Sequence, residues 1–121
     1  MTQSGCANPN NWDQCFAPVV KTCESVWENV LPYRSNIPSF VGCWGFSMCW
    51  GEEAGKGLDT RDAEDVEGRL EEMKPAFKEG KSYEHFDGEA WVGMCCLEMS
   101  IRKGLKSETR VITEANPVYM F

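Results

Sequence analysis

The sequence has little of what a metal site or a redox enzyme needs. It contains a single histidine, His85, and its cysteines form no C-x-x-C pair, the spacing typical of structural zinc sites and of thiol oxidoreductases. No glycine-rich phosphate-binding pattern follows a predicted strand. We therefore expect neither a metal nor a cofactor.

A long apolar segment is also missing. The longest stretch without a charged residue, residues 35–51, is interrupted by Pro38, Gly42 and Gly45, whereas a membrane-spanning helix needs about twenty apolar residues in a row. This argues against membrane insertion. The first five residues, Met1 to Gly5, also lack the basic start and the apolar core of a signal peptide.

Cysteine is the residue that the sequence has in excess, with seven in 121 residues. This density favours disulfides and hence an oxidising compartment, either secreted or an organelle lumen. We expect about three bridges that hold a late helix against an early part of the chain. Because no signal peptide is visible, a cytoplasmic location with reduced, buried thiols stays open. The candidate positions are Cys6, Cys15, Cys23, Cys43, Cys49, Cys95 and Cys96.

The net charge of −7 has a local origin. Residues Glu52 to Glu89 include thirteen acidic and six basic side chains, whereas the rest of the chain has six of each. A negative field repels phosphates, so we expect no nucleic-acid partner. It attracts a basic protein surface, for which the candidate contact residues are Asp62, Asp65, Glu71 and Glu72.

The spacing of apolar residues predicts mainly helices. A stripe at three- and four-residue intervals predicts a helix over Ala17–Leu31 that ends at Pro32, and a second stripe predicts an acidic helix from about Asp59 to Met73. A third helix is expected between a capping Asp87 and Gly104. One strand is predicted near the carboxyl terminus, at Thr109–Thr113.

These elements predict a small single domain over residues 1–121, a mainly α bundle of three to four helices cross-linked by disulfides; an α+β arrangement is the alternative. Residues 35–51 are expected to be its most buried segment or an apolar surface that a partner covers. The candidate apolar contact residues are Phe40, Trp44, Trp50, Tyr119 and Phe121.

One short run resembles a known active site. The sequence Cys43-Trp44-Gly45-Phe46-Ser47 is similar over five residues to the run around the nucleophile of papain-like peptidases, where a cysteine opens a helix. The resemblance implies Cys43 as nucleophile and His85 as general base, with Asp87 or Asn116 orienting the imidazole.

Two functional hypotheses follow. The leading one is a non-enzymatic, disulfide-stabilised acidic protein that binds another protein, such as a secreted effector or inhibitor or an accessory subunit of a larger assembly. The alternative is a cysteine hydrolase that uses Cys43 and His85.

Overall fold

A computed structural model describes residues 1–53, 60–74 and 83–119, and all statements on structure refer to these residues. The predicted contact residue Phe121 lies outside them. The elements in chain order are β1 (Thr2–Cys6), α1 (Phe16–Glu24), β2 (Asn29–Ile37), a 3-10 turn (Pro38–Phe40), β3 (Gly42–Trp50), α2 (Ala63–Met73), α3 (Gly88–Cys95) and α4 (Met99–Ser107).

The three strands form one sheet in the order β1-β3-β2. Strand β3 pairs antiparallel with both neighbours, so β1 and β2 run parallel to each other. The pairing of β2 with β3 is regular from Ile37 opposite Gly42 to Asn29 opposite Trp50. The pairing of β1 is interrupted between Gln3 and Gly5 by a shift in register.

The helices cover both faces of the sheet. On one face, α1 and α4 pack with the chain around β1 into a first core, made of Ala7, Phe16, Ala17, Val20, Leu97, Ile101 and Leu105. On the other face, α2 and α3 pack on the sheet in a second core, made of Leu31, Tyr33, Val66, Trp91 and Cys95. The fold is therefore a three-layer arrangement with the sheet in the middle.

The contact between Phe16 and Gly45 fixes the distance between α1 and the sheet. The Phe16 side chain is fully buried, and a methyl group placed on Gly45 would collide with its ring. Glycine is thus required at this position of β3, because the Phe16 ring of α1 packs directly against its backbone.

The prediction of a mainly helical bundle is wrong, because the structure has a three-stranded sheet between helices. Helix α1 ends at Glu24, since the following Val26 and Trp27 are exposed and do not continue the buried stripe. Pro32 lies within β2 instead of ending a helix, which an edge strand tolerates because one side of its backbone needs no sheet hydrogen bond.

The other predicted elements have mixed outcomes. The acidic helix is present as α2, where Asp62 accepts hydrogen bonds from the backbone N–H groups of Glu64 and Asp65. Asp87 caps α3 as expected, but the third predicted helix is divided into α3 and α4. Thr109–Thr113 is not a strand, although Thr113 forms an isolated bridge with Asn116.

The predicted disulfides are also wrong, because all seven cysteines are free. Cys15 and Cys95 are buried as small apolar residues, whereas Cys96 is exposed. The late helices are held by the two cores described above and not by covalent bonds.

We predict that Gly45→Ala lowers the free energy of unfolding by about 1–3 kcal/mol, because the new methyl group overpacks the site against Phe16. Gly93→Ala is the matched control: nothing lies within 4 Å of its new methyl group, and alanine in a helix is about 0.5–1 kcal/mol more stable than glycine. Urea unfolding followed by circular dichroism measures both. A Gly45→Ala variant as stable as the parent would contradict the close contact.

Candidate functional site

The edge of the sheet where β1 and β2 end is the first candidate site. Cys6 at the end of β1 lies opposite Trp44, and Ile37 at the end of β2 lies opposite Gly42. Since β1 and β2 run parallel on either side of β3, their carboxyl ends lie at the same edge of the sheet, beside the start of β3. We call the 3-10 turn, the start of β3 and the neighbouring loop after β1 the carboxyl edge, residues 6–11 and 38–44.

The backbone of the carboxyl edge is strained at Val41. This residue has a φ of 58° and a ψ of 40°, the left-handed conformation that a β-branched side chain strongly disfavours. Such a conformation costs on the order of 1–3 kcal/mol. The Val41 side chain is 91% exposed, so its own burial does not offset this cost. Strain of this kind is concentrated at functional sites.

Asn8 ties the loop after β1 to the start of β3. Its Oδ1 accepts a hydrogen bond of 3.2 Å from the backbone N–H of Cys43, and the N–H of Ala7 donates to the Cys43 carbonyl at 3.0 Å. In the same loop, the Cys6 thiol donates to Asn11 Oδ1 at 3.1 Å. The loop after β1 is therefore hydrogen-bonded to the start of β3.

The indole of Trp44 carries an unsatisfied donor. Its Nε1 is buried and has no hydrogen-bond partner among the described residues, and leaving such a group unpaired costs about 1–3 kcal/mol. The ring packs against Phe40, with centroids 4.8 Å apart and planes at 53°. Phe40 itself is 44% exposed. The carboxyl edge thus combines an exposed aromatic surface with a donor that lacks an acceptor.

The second candidate site is a cavity of about 220 Å³ between α2 and the start of α3. It is lined by Glu67, Leu70, Glu71, Lys74, Tyr83, Phe86 and Asp87. Its carboxylates already have structural partners, because Glu67 accepts from the N–H of Gly88 at 2.7 Å and Asp87 caps α3. Glu71 forms an ion pair with Lys74. The carboxylates of this cavity are therefore explained by the packing of α2 against the start of α3.

The predicted acidic contact residues lie on or next to α2. Asp62 is the helix cap, and Asp65 pairs with Arg69 at 2.8 Å. That hydrogen bond lowers the pKa of Asp65. Glu71 and Glu72 are exposed. Their role in binding a basic partner stays a prediction.

The structure brings only some of the predicted apolar contact residues together. Phe40 and Trp44 pack against each other at the carboxyl edge. Trp50 lies at the other end of β3, opposite Asn29, and packs on the second core. Tyr119 is exposed beyond the last helix. The residues that sequence reasoning missed at this edge are Asn8 and Val41, which no periodic pattern marks.

The arrangement expected of a papain-like site is absent from the described residues. Cys43 lies in strand β3 and does not open a helix, so no helix N-terminus activates its thiol. No hydrogen bond joins its sulfur to His85, and Asp87 caps α3. Asn116 is bonded to Thr113 in a turn. The cysteine-hydrolase hypothesis is not supported.

The environments of three thiols favour protonated sulfur. Burial raises the pKa of Cys15 and of Cys95. The pKa of Cys23 is raised to about 11, mainly by burial and secondly by a hydrogen bond with the Cys49 thiol. The described residues include no group of three or more histidine, cysteine or acidic side chains that could hold a metal ion. No helix in the described ranges has both the length and the hydrophobicity to cross a bilayer.

No family model matches this chain. Three curated proteins are similar to it. Thermospermine synthase ACAULIS5 of Arabidopsis thaliana is 26% identical over 116 residues, which is 96% of this chain and 31% of that protein. Polyamine aminopropyltransferase 2 of Pseudomonas aeruginosa is 35% identical over 64% of this chain and 20% of that protein. A polyamine aminopropyltransferase of Sulfolobus acidocaldarius is 29% identical over 85% of this chain and 32% of that protein.

The chain therefore spans about a third or less of the length of these relatives. All three are enzymes by name, and none is a secreted accessory protein. Together with the free thiols, this similarity overturns the expectation of a non-enzymatic, disulfide-stabilised binding protein.

We predict that Val41→Asn raises the free energy of unfolding by about 1 kcal/mol, because asparagine tolerates the left-handed conformation that valine resists. Val26→Asn is the control: Val26 is also exposed but has no positive φ, and we expect it to change stability by no more than about 0.5 kcal/mol. Urea unfolding of both variants measures the difference. Equal effects at both positions would show that Val41 stores no strain.

Alkylation should separate the thiols by burial. In denaturant without reductant, iodoacetamide should modify all seven cysteines, because no bridge protects them. In the native protein Cys96 should react first and Cys15, Cys23 and Cys95 last, because these three thiols have raised pKa values and so form less thiolate at mildly alkaline pH. Peptide mass spectrometry reads out the order. Cysteines that resist alkylation in denaturant until a reductant is added would refute the free-thiol state.

Proposed function

We propose that this chain forms part of an enzyme that transfers an aminopropyl group to a polyamine. The observation that carries the proposal is the similarity to three proteins whose names describe this chemistry or its product, in one case across 96% of the chain. Because the chain spans only about a third of those proteins, the complete activity belongs to a larger enzyme of which this fold is one part.

The reaction sets clear requirements for a binding site. A neutral amine nitrogen of the acceptor attacks the terminal carbon of the aminopropyl donor; a C–N bond forms, the bond from that carbon to the leaving group breaks, and the nitrogen then loses a proton. The remaining nitrogens of a polyamine are protonated near neutral pH. The site must therefore hold a flexible cation with apolar methylene segments and position one of its nitrogens.

The aromatic pair at the carboxyl edge suits such a substrate. The faces of Phe40 and Trp44 attract ammonium groups by cation–π interaction, worth about 0.5–2 kcal/mol depending on solvent exposure. The same rings bury methylene segments. We assign binding and orientation of the polyamine to this pair, and we place the proton acceptor in the part of the enzyme that this chain does not span.

The charge of the chain supports the same substrate class. A net charge of −7, concentrated between Glu52 and Glu89, raises the local concentration of polycations and speeds their approach. This field acts at long range and adds to the short-range contacts of the rings. It is screened by salt, whereas stacking on the aromatic pair is not.

The proposal predicts that spermidine binds the chain saturably and changes its tryptophan fluorescence. Phe40→Ala should weaken binding by about tenfold, because it removes one face of the aromatic pair. Trp27→Phe is the control and should leave the affinity unchanged, because Trp27 comes just before the start of β2, at the opposite end of that strand from the carboxyl edge. Titration of each variant gives the dissociation constants.

A parallel titration with Mg²⁺ separates recognition from simple charge attraction. Magnesium carries positive charge but no methylene segments, so it should not reproduce the saturable change. If Mg²⁺ matches spermidine, or if Phe40→Ala binds spermidine as the parent does, the carboxyl edge is not the polyamine site.

A further inference from the structure

A groove of about 540 Å³ lies beside α4, at the outer edge of strand β2. Its walls come from α1, β2, the end of α3 and α4, where the chain passes from one face of the sheet to the other. It shares no residue with the carboxyl edge. A volume of this size is in the range of small-molecule sites, about 300–1,000 Å³.

The charged side chains of the groove are mostly basic. Arg61, Arg102, Lys103 and Lys106 line it against a single carboxylate, Glu24. In a protein with a net charge of −7 this is a local reversal of sign. Four cations beside one carboxylate leave an excess of positive charge, which attracts an anion.

The four cations have no ion-pair partner among the described residues. Glu24, the carboxylate of the groove, pairs with Lys21 at 3.3 Å, and Glu98, just before α4, pairs with Arg34 at 2.6 Å. Glu98 is four residues before Arg102, a spacing at which the two would pair on a helix. Glu98 instead pairs with Arg34, and this hydrogen bond lowers the pKa of Glu98. The four cations of the groove can therefore pair with a bound anion.

The remainder of the lining is aliphatic or sulfur-containing. Val20, Pro32, Cys95, Leu97, Met99 and Leu105 form it, and no aromatic ring is among them. A planar base would find no ring to stack on, whereas an alkyl chain would bury its methylenes at about 0.8 kcal/mol each. The groove thus combines an aliphatic floor with a cationic rim.

We propose that this groove binds a small organic anion with an aliphatic body, of which a medium-chain carboxylate is the simplest member. The carboxylate pairs with Arg102 and Lys103 at the rim, and the alkyl chain lies on Leu97 and Leu105. This assignment is independent of polyamine binding at the carboxyl edge.

Calorimetric titration of the chain with decanoate tests the assignment. Decanoate should bind saturably, and high ionic strength should weaken it because the rim is exposed. Decyltrimethylammonium, with the same chain and the opposite charge, should not bind in the groove. Amide shifts observed by NMR should be confined to the segments that line the groove, in α1, β2, the end of α3 and α4, and around Arg61.

Variants separate specific recognition from general surface charge. Arg102→Gln should weaken decanoate binding by about fivefold, the value expected for one partly exposed ion pair. Arg69→Gln, which removes the same charge from α2 outside the groove, should leave it unchanged. Both are exposed or half-exposed side chains whose loss leaves the cores intact.

Three results would overturn the proposal. The first is equal binding of decanoate and decyltrimethylammonium, and the second is an equal loss of affinity in Arg69→Gln and Arg102→Gln. The third is the absence of decanoate binding, which would leave a protein partner as the occupant of the groove. None of these results bears on spermidine binding, so failure here is distinguishable from failure of the proposed function.

Discussion

The structure depends on β3 being the central strand of the sheet. Gly42–Trp50 pairs with β1 on one side and β2 on the other, and both pairings are antiparallel. This makes β1 and β2 parallel and brings their carboxyl ends to one edge. It also places alternate residues of β3 on opposite faces, so that Gly45 meets Phe16 of α1 while Phe46 packs toward α2 and α3. The two cores and the candidate site all follow from this pairing.

Local signals in the sequence predicted the elements that local interactions stabilise. Asp62 and the acidic first turn of α2 mark a helix start because a carboxylate satisfies free backbone N–H groups and the helix dipole, and Asp87 does the same for α3. The sheet gave no comparable signal. A strand that is covered on both faces does not alternate between polar and apolar residues, so residues 35–51 look like a buried segment of any type.

Cysteine was the most misleading signal, because its count does not distinguish a cross-link from a small apolar side chain. In the structure, Cys95 packs in the second core with Tyr33 and Trp91, and Cys6 donates a hydrogen bond to Asn11. Cys15 is buried at the start of α1. Only coordinates show that these sulfurs serve packing and hydrogen bonding. Phe40 and Trp44 pack against each other, although their role as contact residues stays a prediction, and the bond from the N–H of Cys43 to the loop residue Asn8 could be seen only in the tertiary structure.

Two unfavourable features meet at the carboxyl edge, and their combination argues for a ligand there. Val41 is held in a left-handed conformation without burial to compensate for it, and three residues later the Trp44 N–H is buried without an acceptor. Neither cost is recovered within the described residues. The pairing of Ile37 with Gly42 and the bond from Cys43 to Asn8 leave the turn little freedom to relax. The turn is therefore fixed in one conformation before any substrate binds, as expected of a site that holds backbone strain.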